Sequence, residues 1–124
     1  MNKILIDTHV FIWWIADDKH LNDKHRSLIA DPMNLIYVSD FSLFEISIKQ
    51  SIGKLEFKND PYLLVNDCGF TSLSLKKGDL EIFRHLPFHH KDPFDRILIA
   101  QAINQDLKVI SYDKQFALYR AELL

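Results

Sequence analysis

The sequence predicts an α/β fold, with a central and mainly parallel sheet flanked by helices. Four short apolar runs, rich in β-branched or aromatic residues, recur along the 124 residues, and helical periodicity fills the stretches between them. Strands that read as continuous apolar runs are buried on both faces, and strands separated by helices must run parallel. In such sheets the ligand crevice lies outside the carboxyl ends of the strands, where Asp7 follows the first run and Asp113 the last.

Ile4-Leu5-Ile6 is the first strand. The helix after it carries Phe11-Ile12-Trp13-Trp14, an aromatic run of the kind that usually packs in a core, although one face of it can serve a partner. Asn22 suits the N-cap of a helix through Ala30, and Leu35-Ile36-Tyr37-Val38 is the second strand. A helix from Phe41 to Ile52 follows, with a stripe of Phe41, Phe44, Ile48 and Ile52 that is expected to face inward and to carry Glu45 with it. Asp60-Pro61 opens another helix that Gly69 closes, and Phe70 to Leu73 is the third strand. Asp79 to Leu86 makes a helix that stops before Pro87. Asp92 at the N-cap and Pro93 at the first helical position start the most apolar helix, through Ile97-Leu98-Ile99-Ala100-Gln101-Ala102-Ile103, which is expected to be central. Val109-Ile110 is the fourth strand, and Lys114 to Tyr119 is a short helical pattern. No repeat, low-complexity tract or linker interrupts this order, so the expectation is one domain spanning residues 1–124.

Charged residues make up 26% of the chain and the formal net charge is -2, which rules out a global basic field for holding nucleic acid and leaves local Lys and Arg contacts. Cys68 is the only cysteine and reads as a small packing residue in a reducing compartment. The apolar run Val10 to Ala16 is too short to span a bilayer, and a cytoplasmic protein is expected.

Four acids, Asp7, Glu45, Asp95 and Asp113, each stand where a strand ends or a helix begins, with Asp40 and Asp92 beside them. At about 5 Å and an effective dielectric near 20, two ionised carboxylates repel by roughly 3 kcal/mol, so a shared acidic pocket calls for a cation. Each acid also has a plainer reading. Asp7 and Asp113 can be helix caps, and Ser42-Leu43-Phe44-Glu45 spells a capping box in which Glu45 reaches back to the helix start. Asp92 is assigned mainly to structure, whereas Asp95 shares a face with Leu98, Ile99 and Ala102 and is assigned to metal binding. Thr8 and Ser111 add oxygens near Asp7 and Asp113. His85, His89 and His90 lack the regular spacing and Cys partners of a zinc site and read as surface residues. An all-oxygen donor set favours Mg²⁺ or Mn²⁺.

The chain resembles PIN-domain ribonucleases, and within them the VapC-type toxins of type II toxin-antitoxin pairs. The resemblance rests on Leu5-Ile6-Asp7-Thr8-His9, on Ser39 with Ser42-Leu43-Phe44-Glu45-Ile46 and Lys49 to Leu55, on His90-Lys91-Asp92-Pro93-Phe94-Asp95-Arg96 with Ala100-Gln101-Ala102, and on Ser111-Tyr112-Asp113. It implies a PIN-like three-layer fold, a metal site of Asp7, Glu45, Asp95 and Asp113, hydrolysis of RNA phosphodiester bonds, a cognate antitoxin and a homodimer. Arg96, Lys91, Lys49 and Lys54 are the basic residues nearest the acids and are candidates for flanking phosphates. Asp40 and Ser111-Tyr112 depart from the family pattern. The competing reading is a catalytically inactive PIN-like module whose acids are caps and whose aromatic helix binds a protein.

Overall fold

A computed structural model describes all residues, Met1–Leu124. The elements run β1 (Lys3–Ile6), α1 (Thr8–Ala16), α2 (Asp23–Ala30), β2 (Leu35–Ser39), α3 (Asp40–Ser51), α4 (Pro61–Asp67), β3 (Thr71–Leu73), α5 (Lys77–His85), α6 (Pro93–Gln105) and β4 (Lys108–Ile110), followed by a 3-10 turn at Lys114–Leu118. All four strands are parallel, in the order β3-β2-β1-β4. The chain therefore winds outward from β1 to β3 and then returns to the other side of β1. That reversal between β1 and β4 is where an open α/β sheet leaves its crevice.

Alternation along β1 separates the layers, because successive side chains point to opposite faces. Ile4 and Ile6 pack with Val10, Phe11, Ile29, Leu43, Ile46 and Val65 from α1 to α4. Leu5 packs on the opposite side with Leu98, Ile99 and Ala102 of α6 and with Phe116 and Tyr119. The result is three layers, with α6 as central as its composition predicts. Two buried polar residues lock the α6 layer in place. Gln101, fully buried, accepts from Ser39 Oγ at 2.6 Å and so ties α6 to the end of β2. Asp79, also fully buried, accepts from Lys76 N (2.8 Å), Asn104 Nδ2 (2.9 Å) and Gln105 Nε2 (3.2 Å), joining α5 to α6.

Several expectations need correction. Most of the stripe on α3 does not face the core: Phe41 packs against it, but Phe44, Ile48 and Ile52 are exposed, and the buried residues are Ser42, Leu43 and Ile46. Periodicity marks an apolar face without saying what covers it. The Ser42–Glu45 capping box is absent as well, because α3 begins one turn earlier with Ser39 as its N-cap, accepting from Phe41 N. The fifth helix starts at Lys77 rather than Asp79, and the last helical pattern is a 3-10 turn. The Asp60-Pro61 start and the Gly69 stop hold, with Gly69 in the left-handed region at φ 76° that favours glycine.

Candidate functional site

At the carboxyl ends of β1 and β4 the structure forms a cleft of about 250 Å³ lined by Asp7, His9, Trp13, Asp95, Tyr112 and Asp113. Three of the four acids chosen from sequence therefore share one site. Asp7 leaves β1 and caps α1, with Oδ1 accepting from Val10 N at 2.9 Å and Oδ2 accepting from Ser111 Oγ at 2.6 Å across the sheet. It is almost wholly buried, and burial raises its pKa against the opposing pull of the Ser111 and Val10 donors. Asp113 follows β4 and caps the 3-10 turn through Gln115 N at 2.9 Å. Its partial burial works against ionisation, but the Gln115 and His90 donors outweigh it and hold its pKa below the usual range.

Asp95 comes from the opposite layer, in the first turn of α6 behind the Asp92 N-cap and Pro93. Burial, followed by the charges of Asp92, Asp7 and Asp113, pushes its pKa up to about 7, with only His90 working the other way. Glu45 stands one step back. It does not line the cleft, but its Oε1 accepts from Thr8 Oγ1 at 2.8 Å, directly beside Asp7, and Thr8 shares a second hydrogen bond with Ser42 Oγ at 2.9 Å. Lys49 lies 4.0 Å from its other oxygen.

His90 is the residue that sequence reasoning missed. Far from being a surface histidine, it is largely buried, with Nε2 3.0 Å from Asp95 and 2.8 Å from Asp113. These three residues can offer ligand atoms within 4.8 Å of one another. No helical or strand spacing joins His90 to either acid; the loop before α6 delivers it, held by Tyr119 Oη, which accepts from His90 N at 2.8 Å and donates to Pro87 O at 2.8 Å. Arg96 braces the same loop. Its guanidinium is buried, donates to Pro87 O at 2.9 Å and lies over the Phe83 and Phe88 rings at 5.1 and 4.3 Å. Arg96 is thus a loop clamp, not a phosphate contact. Asp40 does not line the cleft either; it sits beside the Tyr62 hydroxyl on α4 and raises that phenol's pKa.

The donors fit a hard divalent cation. Buried and half-buried carboxylates face one cleft, burial and then their mutual repulsion keep Asp95 reluctant to ionise, and no Lys or Arg pairs with Asp95 or Asp113.

The PIN domain family model matches residues 4–122. No curated protein matches the chain. Among solved structures it is similar to VapBC2 from Rickettsia felis bound to a DNA fragment from their promoter, at 14% identity and a TM-score of 0.75, covering 98% of this chain and 97% of that one. It is also similar to FitAcB from Neisseria gonorrhoeae (16%, TM-score 0.65, 98% and 96%) and to VapBC-5 from Mycobacterium tuberculosis, of the VapBC family of toxin-antitoxin systems (18%, TM-score 0.63, 100% and 97%). At such identities the likeness speaks for the fold, while the family match extends over nearly the whole chain. The chain belongs to the PIN domain family.

Proposed function

We propose that this chain is a Mg²⁺- or Mn²⁺-dependent endoribonuclease, the toxin of a toxin-antitoxin pair. The observation that carries the reading is the convergence of Asp7, Asp95 and Asp113 in one cleft at the β1/β4 reversal, with Asp95 pushed up to about 7 by burial and by its acidic neighbours. Asp7, Asp95 and Asp113 would hold the metal, with Glu45 contributing through Thr8. When bound, the metal would supply a Lewis acid for the phosphodiester and lower the pKa of the attacking water.

The chain's own residues prepare the site. Ser111 and the Val10 amide fix both oxygens of Asp7, and Gln115 fixes one oxygen of Asp113, so the carboxylates are oriented before substrate arrives. His90 Nε2 lies 3.0 Å from Asp95 and 2.8 Å from Asp113, so it would share those oxygens with a bound cation. With Arg96 taken up by the loop, Lys49, 4.0 Å from Glu45, is retained among the proposed phosphate contacts.

Partners follow from the exposed apolar surface. Phe41, Phe44, Leu80, Phe83, Pro93, Phe94 and Ile97 line an apolar groove of about 290 Å³ between α3, α5 and α6. Exposed apolar surface of this kind marks a protein interface. We assign the groove to a homodimer and expect a cognate antitoxin as a further partner, since the similar VapBC-5 belongs to a family of toxin-antitoxin systems. An inactive interaction module would share the groove but has no use for the crowded acids. No helix is long and apolar enough to cross a membrane.

The test is cleavage of single-stranded RNA by the purified protein. Activity should vanish with EDTA, return with Mg²⁺ or Mn²⁺, and be lost in Asp7→Asn and Asp95→Asn proteins that remain folded. Cleavage indifferent to chelation, or turnover by either variant at the wild-type rate, refutes the assignment.

A further inference from the structure

One wall of the acidic cleft is aromatic. His9, Trp13 and Tyr112 line it beside Asp7, Asp95 and Asp113. The rings belong to a connected array: Trp13 stacks on His20 at 5.2 Å and 19°, meets Tyr112 edge to face at 5.1 Å and 81°, and lies 6.2 Å from His9 one helical turn earlier. The array is held from behind. Tyr112 Oη bonds His25 Nδ1 at 2.6 Å and accepts from Asn22 N at 3.0 Å, and His25 Nε2 in turn lies 3.0 Å from the Leu124 carbonyl. Yet the rings are not sealed into the core as Phe11 is: Trp13 is only partly buried, His9 is exposed and Tyr112 keeps 37% of its surface. His9 is also close enough to favour the ionised forms of Asp7 and Asp113.

Resting on the nuclease reading above, we propose that the His9–Trp13–Tyr112 wall is a nucleobase-stacking subsite that takes the base next to the phosphate held at the acids, and so selects unpaired RNA. Three points argue for it. Aromatic rings give a base dispersion contact whatever its identity, and the Tyr112 hydroxyl is already engaged by His25 and Asn22. The rings are rigid, so little entropy is lost when a base docks. Finally, a cleft of about 250 Å³ has room for one base, and only an unstacked base presents a free face, which a duplex withholds.

The experiment has a binding arm and a turnover arm. For binding, Trp14→Phe leaves Trp13 as the sole indole, and a short single-stranded RNA is titrated with emission as the readout. Asp95→Asn in the same background prevents cleavage. Quenching by single-stranded RNA, much weaker with the matching duplex, is expected; equal response to both, or none to either, overturns the subsite whether or not the protein cleaves RNA. For turnover, Trp13→Leu and Tyr112→Leu should each raise KM by about 5- to 150-fold with kcat changed far less, as the loss of one stacked base implies. Because Trp13 also touches the core, His9→Ala, at an exposed position, provides a second variant, with a smaller rise in KM expected. Unchanged KM in all three overturns the proposal while leaving the nuclease assignment standing. Absence of cleavage by the wild type defeats the nuclease assignment instead, and the quenching result then decides the subsite alone.

Discussion

Replacing Asp95 with asparagine should make the metal-free protein more stable in mildly alkaline solution. In the folded chain Asp95 is pushed from an ordinary 3.8 to about 7 by burial and by Asp92, Asp7 and Asp113. At about 1.4 kcal/mol per pKa unit, the full shift corresponds to roughly 4 kcal/mol against the ionised folded state. The side chain keeps 19% of its exposure, and water and salt screen the repulsion, so the measurable share is about 1–2 kcal/mol. The direction follows from proton binding. Between about 4 and 7 only the folded state retains the Asp95 proton, so stability declines as pH rises through that window and the penalty is complete above it. Asparagine never ionises, yet it keeps an oxygen for His90. In EDTA near pH 8 the variant should melt about 3–8 °C above the wild type, and the gap should be smaller near pH 4.5. Added Mg²⁺ should raise the wild-type melting temperature and leave the variant's unchanged. Circular dichroism melts at the two pH values with EDTA or Mg²⁺ give the answer. Equal or lower stability of the variant near pH 8 would refute the crowding of charge from which the metal site is inferred.

Two further perturbations test the packing and the apolar groove. A Cβ on Gly78 would sit 2.6 Å from Asn104 Oδ1 and 2.7 Å from Nδ2, and moving Asn104 breaks its bond to the buried Asp79. Gly78→Ala should therefore cost about 1–3 kcal/mol in urea unfolding, and a variant as stable as the wild type would show that α5 and α6 can part freely. If the groove between α3, α5 and α6 joins two copies, Phe44→Glu should shift the protein to monomer in light scattering without altering its far-ultraviolet spectrum; an unchanged mass assigns the homodimer to another surface.

The order of elements and the parallel sheet were legible because each rests on local signals: β-branched runs, caps and Pro-Gly punctuation. The convergence of Asp7, Asp95 and Asp113 was legible for a related reason, since strand ends and helix starts meet at the topological reversal of such a sheet. What escaped depends on contacts between residues with no fixed spacing. The place of His90 is decided by Tyr119 and Arg96 holding the loop from Pro87, and nothing in His89-His90 itself signals that. The α3 stripe was misplaced because apolar periodicity is the same whether the face meets the core or a partner. Arg96 was misread because a guanidinium beside an acid suggests phosphate binding, whereas its flat faces are taken by Phe83 and Phe88.

Capping and metal binding looked like rival explanations for these acids in sequence, yet the geometry makes them one device. A carboxylate has two oxygens, and a cap uses one of them. In Asp113 one oxygen takes the Gln115 amide while the other meets His90; in Asp7 the Val10 amide and the Ser111 hydroxyl hold both oxygens at the wall of the cleft. The helix or turn that each acid starts therefore fixes the torsions of that acid, and a freely rotating surface carboxylate would have to lose them on binding a cation. The same amides stabilise negative charge, which offsets part of the repulsion that gathering three acids creates. Asp95 is the exception that shows the balance: its cap neighbour Asp92 takes the amide of Phe94, leaving Asp95 without a backbone donor while burial and its acidic neighbours push its pKa up to about 7. The acid to which the fold gives no backbone donor is one whose charge a cation would stabilise in the donor's place.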